Sequence, residues 1–196
     1  MIRKHKHKQI PIPSILSSIP DAPETLFALG DSLDELLKVP RVAIVGSRKI
    51  TAYGRFVTEK FANELACKGV VIVSGLAYGV DACAHQSTIN ARGKAIAVLA
   101  CGLDKMYPTA NKQLASQIIK TGGVIVSEYP EKTEPLRHHF LARNRIISGL
   151  SDAILITEAA ERSGSLNTAS HALNQGIPVM AIPGNINSPL SNGTNN

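Results

Sequence analysis

Residues 136–164 read LRHHFLARNRIISGLSDAILITEAAERSG and combine a basic segment, a short apolar run and a polar turn. The basic segment surrounds one aromatic residue, Phe140, and its members are Arg137, His138, His139, Arg143 and Arg145. The apolar run at 153–157 ends in a carboxylate, Glu158, and the turn follows at 163–165. Cations around an aromatic ring are typical of a surface that binds an anionic partner with stackable rings.

The same alternation of apolar run and helical segment extends along most of the chain. Helical spacing of apolar residues predicts helices over 52–68, 80–91, 111–121, 136–150 and 165–175. The short apolar runs between and around them lie at 42–45, 70–73, 95–100, 124–126, 153–157 and 179–182. Runs that are apolar on both faces indicate a parallel sheet covered on both sides. Right-handed crossovers then predict an α/β fold with a doubly wound, Rossmann-like, mostly parallel sheet and helices on both faces.

Two parts of the chain are distinguished by this pattern. Residues 41–196 form the predicted Rossmann-like domain, whereas residues 1–40 are expected to be a basic tail and an irregular segment at the domain edge, with one short helix over 32–38. Four cations in the first eight residues contribute +4 to a net charge of +6, which leaves +2 for the rest. The tail either adds non-specific phosphate contacts or is a solvated terminus. The polar end over 188–196 has no closing element, so a longer parent chain is expected.

Composition narrows the class of protein. The chain has 196 residues, of which 44% are hydrophobic and 18% charged, as in folded globular domains. No apolar run approaches the 18 residues of a membrane span, and no secretory leader is expected at the N-terminus. Three cysteines without CxxC spacing are expected to be reduced structural thiols of a cytoplasmic protein. Because histidines of the tail and of the basic segment lie beside cations, no metal site is expected.

Candidate ligand contacts follow the apolar runs, because open α/β sheets bind ligands at the carboxyl ends of their strands. Glycines and small polar residues occur at five of these six ends and predict a rim of backbone N–H groups suited to phosphate. The residues singled out at these ends are Gly46, Ser47, Arg48, Ser74, Gly75, Gly79, Asp81, Ser163, Gly164 and Ser165. The spacing is not that of the dinucleotide motif G-x-G-x-x-G, which disfavours NAD. Asp81 either caps the following helix or pairs with His85 as acid and base.

The basic segment leaves further alternatives open. Arg143 and Arg145 are two residues apart, so they point to different sides of a helix, and one can reach a ligand while the other pairs with a carboxylate. Asn144, between them, is expected to cap or bridge. Arg137 and Phe140 share a helical face, where charge and ring together suit a phosphate and a base at about 1–3 kcal/mol per stacked base. The alternative for Phe140 is a place in the core.

Seven stretches taken together resemble the DNA-processing protein A (DprA, or Smf) family: VAIVGSRKITAYG, VIVSGLAYGVDACAH, GKAIAVLACGLDKMYP, GGVIVSEYP, HFLARNRIISGLSDAILITEA, SGSLNTASHAL and PVMAIPGN. They occur in order over about residues 41–187. The resemblance implies an extended Rossmann-like fold in a bacterial cytoplasmic protein that binds single-stranded DNA, forms a homodimer and loads the RecA recombinase in natural transformation. It implies no cofactor and no enzymatic activity.

For individual residues, the resemblance implies DNA contacts at 46–48, in the 74–81 loop and in the 137–145 segment, where Phe140 stacks on a base. Lys112 is expected to add a phosphate contact. Residues 1–40 are short for the helical N-terminal domain of many members, and no winged-helix-like domain follows before Asn196.

A second hypothesis comes from a different class of protein. Rossmann-like nucleotide-binding hydrolases of the lysine-decarboxylase-like group also carry glycine-rich turns at strand ends. Their P-G-G-x-G-T-x-x-E loop would correspond to residues 158–165, EAAERSGS, which lack the double glycine. This mismatch favours the DNA-binding hypothesis and leaves binding of a free nucleotide open.

Overall fold

A single mixed sheet of eight strands forms the centre of the computed structural model, which describes residues 7–196. The strands are β1 Lys8–Ile10, β2 Leu26–Gly30, β3 Arg41–Gly46, β4 Val71–Ser74, β5 Ala95–Val98, β6 Val124–Ser127, β7 Ala153–Glu158 and β8 Val179–Ala181. Their order across the sheet is β1-β2-β6-β5-β4-β3-β7-β8. The six strands from β3 to β8 are parallel and coincide with the six apolar runs of the sequence.

Helices cover both faces of this sheet, which confirms the predicted fold class. They are α1 Ser14–Ser17, α2 Leu33–Leu36, α3 Ala52–Cys67, α4 Val80–Asn90, α5 Lys112–Lys120, α6 Arg137–Gly149, α7 Gly164–Asn174 and α8 Asn192–Asn195. Side chains alternate along each strand, so Ala43 and Val45 of β3 face α6 and α7, whereas Ile44 faces α3 and α4. None of the helices in the described part of the chain combines the length and apolar composition that crossing a membrane requires.

The segment before residue 41 contributes two strands, which differs from the irregular segment expected there. β2 pairs antiparallel with β6, in the register Phe27 to Ser127, and β1 pairs antiparallel with β2. Leu26 and Leu29 are buried on opposite faces of the sheet, so β2 adds to both cores. Prolines at 20 and 23 obscured this five-residue strand in the sequence pattern. Three of the four tail cations, Arg3, Lys4 and Lys6, lie outside the described residues.

The order of the strands places a crevice at one position. From β3 the chain proceeds to β4, β5 and β6 on one side, and α6 then returns it across the sheet to β7, on the other side of β3. The strand order therefore reverses between β3 and β7. Ligands of doubly wound sheets bind outside the carboxyl ends of the strands at such a switch point.

Candidate nucleic-acid interface

A cavity of about 710 Å³ lies at this switch point and is here called the switch-point crevice. Its walls come from the end of β3, the loop before α4, the first three turns of α6, and the segment joining β7 to α7 with the start of α7. These segments are distant in sequence and include most of the strand ends singled out from the sequence. The fold therefore assembles them into one surface.

The loops after β3 and β4 are locked against each other beneath the crevice. The Ser47 N–H donates to the Glu158 carbonyl at 2.7 Å, and the Val80 N–H donates to the Ser47 carbonyl at 3.0 Å. A Cβ on Gly46 would lie 2.7 Å from the Glu158 carbonyl oxygen. Gly79 has φ +76°, and a Cβ there would collide with the Ser47 carbonyl. Gly46 is thus required by the close approach of the end of β7, and Gly79 by the close approach of the loop after β3.

Glu158 is buried below the crevice and organises the start of α3. Its carboxylate accepts hydrogen bonds from the Thr51 N–H at 2.9 Å and from the Thr51 hydroxyl at 2.5 Å. The same hydroxyl oxygen accepts from the Gly54 N–H at 3.0 Å and caps α3. The carboxylate of Glu158 is therefore engaged in a structural network and does not line the crevice.

Four exposed cations line the crevice, and together they give it a strongly positive surface. They are Arg48, Lys49, Arg137 and Arg162. The carboxylate among the described lining residues is that of Asp81, which is buried. Lys49 and Arg162 were not among the sequence candidates, although each lies next to a candidate turn. Their signal in the sequence is adjacency to a strand end, the same feature that singles out Arg48.

Phe140 is half-buried at the wall of the crevice and is not a member of any core cluster among the described residues. The guanidinium carbon of Arg48 lies 5.2 Å from the centroid of its ring, in cation–π range. Tyr107 packs edge-on against the same ring at 5.7 Å between centroids. The ring is therefore held in place by two neighbours while part of it stays accessible.

Arg143 forms the floor of the crevice, with 3% of its surface exposed. Its Nη1 donates to the Gly75 carbonyl at 2.8 Å and also to the Val98 carbonyl, so it joins the ends of β4 and β5. Asp81 accepts from the N–H groups of Gly75 and Ala77, at 3.1 and 3.3 Å. Burial lowers the pKa of Arg143 to about 10, opposed by the Asp81 charge, and burial raises the pKa of Asp81, opposed by Arg143. The two residues form a buried polar support under the exposed cations.

Arg145 lies outside the crevice. Its guanidinium makes a bidentate ion pair with Glu128, at 2.7 and 2.6 Å, and its Nε donates to the Asp21 carbonyl at 2.6 Å. Arg143 and Arg145 thus lie on different sides of α6, and Arg145 is the one that pairs with a carboxylate. Asn144 bridges α6 to α7 through the Asn167 side chain at 3.0 Å and the Gly164 carbonyl at 3.2 Å.

Two further candidate residues, Ser74 and Lys112, do not line the crevice. The hydroxyl of Ser74 is buried and donates to the Ile44 carbonyl at 2.7 Å, so it serves the sheet. Lys112 is exposed at the start of α5 and does not line the crevice. By contrast, Ser163, Gly164 and Ser165 line it at the N-terminus of α7, where the Ser163 oxygen accepts from the Ser165 N–H at 3.3 Å.

Asp81 and His85 do not form an acid–base pair. The carboxylate of Asp81 is engaged by backbone N–H groups, as described above. His85 is fully buried, neither of its ring nitrogens has a hydrogen-bond partner within residues 7–196, and burial lowers its pKa to about 3. His85 is accordingly a neutral core residue.

The fold and the crevice define the class: a Rossmann-like domain that presents a cationic, aromatic surface at the carboxyl ends of its strands. The chain belongs to the DNA recombination-mediator protein A family, whose model matches residues 4–196. This match confirms the family resemblance seen in the sequence.

Relatives and solved structures agree with this assignment. The chain is 45% identical over 181 residues to DNA processing protein DprA of Bacillus subtilis, covering 92% of this chain and 60% of that protein. It is similar to the X-ray structure of DprA from Streptococcus pneumoniae, with TM-score 0.86, 44% identity and coverage of 98% and 68%. It is also similar to Helicobacter pylori DNA processing protein A, studied for its single-stranded DNA binding mode, with TM-score 0.89, 36% identity and coverage of 100% and 88%. The chain spans about 60% of the length of the Bacillus relative.

Proposed function

We propose that this chain binds single-stranded DNA in the switch-point crevice, with little sequence preference. The carrying observation is the half-buried ring of Phe140 beside the exposed cations Arg48 and Arg137. Charge for the phosphates and a ring face for the bases are the two elements of sequence-independent single-strand binding. The role is one of binding rather than catalysis, and the H. pylori relative was studied for its single-stranded DNA binding mode.

In this proposal each lining group has a distinct task. Arg48 and Arg137 pair with phosphates, and the backbone around Gly46, Ser47 and Gly164 approaches the strand closely. Phe140 stacks on a base. A cavity of about 710 Å³ is the size of a small-molecule site, about 300–1,000 Å³, so it accepts an unstacked base more readily than a stacked duplex.

The wider role that we propose is that of a recombination mediator. The protein would protect incoming single strands and load a RecA-type recombinase on them in natural transformation, acting in the cytoplasm as a homodimer. Membership of the DNA recombination-mediator protein A family supports this part of the proposal. The crevice supports the DNA-binding part.

The test is a fluorescence-anisotropy titration with a labelled oligo-dT strand, its duplex form and free ATP. We expect tight binding of the single strand, weaker binding of the duplex and the weakest binding of ATP. Phe140→Ala should weaken single-strand binding by about 5- to 150-fold, the equivalent of one lost stacking interaction. Arg48→Ala should also weaken it, because Arg48 both meets phosphate and supports the ring.

The matched control is Arg92→Ala. Arg92 is exposed between α4 and β5, at the opposite end of the sheet, so its removal changes the net charge equally without touching the crevice. Its affinity should match the wild type. If the folded Arg48 and Phe140 variants bind the strand as the wild type does, the crevice is not the DNA site. Preferential binding of ATP would instead favour the nucleotide-binding alternative.

A further inference from the structure

A second groove of about 750 Å³ adjoins the switch-point crevice and is here called the Tyr78 groove. Arg48 and Lys49 line both cavities and form the ridge between them. The groove continues from this ridge between the loop before α4 and the start of α5, and Arg55 lies at its far end. A linear polymer that occupies the crevice can therefore continue into the groove without leaving the protein surface.

The charge of the Tyr78 groove suits a phosphate backbone. Three of its lining residues are cations, Arg48, Lys49 and Arg55, and among the residues that the structure describes no Asp or Glu lines it. Side-chain amides such as Gln86 and Asn111 add hydrogen-bond donors and acceptors. Phosphate and sugar contacts in nucleic-acid complexes come from these residue types.

Tyr78 supplies an aromatic surface on a rigid loop. It is 49% exposed, so a large part of its ring is open to a ligand. The next residue, Gly79, is packed against the Ser47 carbonyl. On the other side, the Asn111 side chain donates to the Leu76 carbonyl at 2.8 Å. The loop is therefore fixed from both ends, and an exposed ring on a fixed loop costs little ordering entropy when a base stacks on it.

The charge pattern also indicates where such a path would end. Beyond Arg55, a third groove between α3 and α4 contains Glu59 and Glu64 beside Lys60. Arg55 lies 3.9 Å from Glu59 in this direction. Two carboxylates cancel the attraction of the cations there, so a phosphate backbone gains nothing by continuing.

We infer that a single strand bound in the switch-point crevice crosses the Arg48–Lys49 ridge and continues in the Tyr78 groove, with a base stacked on Tyr78 and a phosphate at Arg55. This inference rests on the proposed function and adds a second subsite to it. Phe140 and Tyr78 are then successive stacking platforms on either side of the ridge. The path makes the strength of binding depend on strand length.

The test is a length series of labelled oligo-dT strands from about 2 to about 16 nucleotides, which spans the site sizes of single-strand-binding domains. The shortest strands should bind Tyr78→Ala and wild type equally, because they occupy the crevice alone. Above the length that reaches the groove, Tyr78→Ala should bind about 5- to 150-fold more weakly. Tyr78→Phe keeps the ring and should bind as the wild type does.

Lys60→Ala tests the end of the path, because it removes one cation from the third groove and should leave binding unchanged at every length. Equal binding of Tyr78→Ala and wild type at all lengths would overturn the second subsite. In that case Phe140→Ala still reports on the crevice: loss of binding there keeps the proposed function, whereas no loss would overturn both.

A positional readout complements the affinities. Strands carrying one photoreactive 5-iodouracil, moved along the sequence, should crosslink to Tyr78 only when the strand exceeds the crevice length. The crosslink should disappear in Tyr78→Ala. A crosslink found in the third groove instead, at the α3 and α4 residues around Glu64, would contradict the proposed end of the path.

Discussion

Removal of the Arg145 side chain should destabilise the fold and leave the affinity for single-stranded DNA unchanged. Arg145 and Glu128 are 11% and 14% exposed at their side chains and form a bidentate ion pair. Two backbone carbonyls, of Asp21 and Ala142, accept the remaining hydrogen bonds of the guanidinium, at 2.6 and 2.8 Å. The group thereby joins α6 both to the end of β6 and to the segment before β2.

The magnitude follows from the burial of the pair. Removing one member of a buried ion pair costs about 3–5 kcal/mol, because the other charge is left without a partner. For a domain of this length each kcal/mol lowers the melting temperature by about 2–4 °C, so Arg145→Ala should melt about 6–20 °C below the wild type. Thermal unfolding followed by circular dichroism, with urea unfolding at 25 °C, measures both quantities.

A double-mutant cycle separates the ion pair from other effects. Arg145→Met and Glu128→Leu should each cost about as much as Arg145→Ala, and the double variant with both changes should cost much less than the sum of these two single changes. Below the melting temperature, all variants should bind oligo-dT with wild-type affinity. An Arg145→Ala protein that keeps wild-type stability and loses DNA binding would refute the reasoning, since it would make Arg145 a ligand contact.

Two other measurements test the charges of the protein. The logarithm of the single-strand association constant should fall with the logarithm of the salt concentration at a slope of about −3, because four exposed cations neutralise phosphates and each contributes about 0.7. Arg48→Ala should reduce the steepness of this slope by about 0.7. A flat response would indicate a small-molecule site. Burial lowers the pKa of His85 from 6.5 to about 3 in the folded protein. Between these two pH values, unfolding is accompanied by uptake of a proton, so the stability of the fold decreases as the pH falls from 6.5 towards 3. In urea unfolding, the free energy of unfolding of the wild type should fall by about 1.4 kcal/mol more per pH unit than that of His85→Gln. Asp81 and Arg143 still contribute to the pH dependence of this variant. Equal losses in the two proteins would contradict a buried neutral histidine.

The sequence was sufficient for the parallel part of the fold because that part depends on local patterns. Buried parallel strands are apolar on both faces, and each is followed by a helix of different periodicity. β2 lacks this signature: it is a five-residue strand preceded by prolines, and its pairing with β6 joins segments about 100 residues apart. Only the tertiary structure shows that Leu26 and Leu29 complete the two cores.

The candidate site was predictable in its position and less so in the tasks of its residues. Gly46, Arg48 and the 163–165 turn, singled out because they follow strands, all line the crevice, because topology brings such ends together. The pattern could not distinguish Arg143 from Arg48, since both are arginines near a strand end or on a basic helix. Burial separates them: Arg143 holds two carbonyls in the floor, whereas Arg48 is exposed beside Phe140.

This separation explains why a basic crevice can be built on a closely packed sheet. A parallel sheet ends in a row of carbonyl groups, which would repel a phosphate if they were left open at the floor. Arg143 satisfies two of them, at Gly75 and Val98, and Asp81 fixes the Gly75 loop from its N–H side. Above this floor, the exposed cations determine the charge of the crevice surface. The buried arginine therefore shapes the floor, whereas Arg48 and its exposed neighbours are the cations that we propose to meet the phosphates.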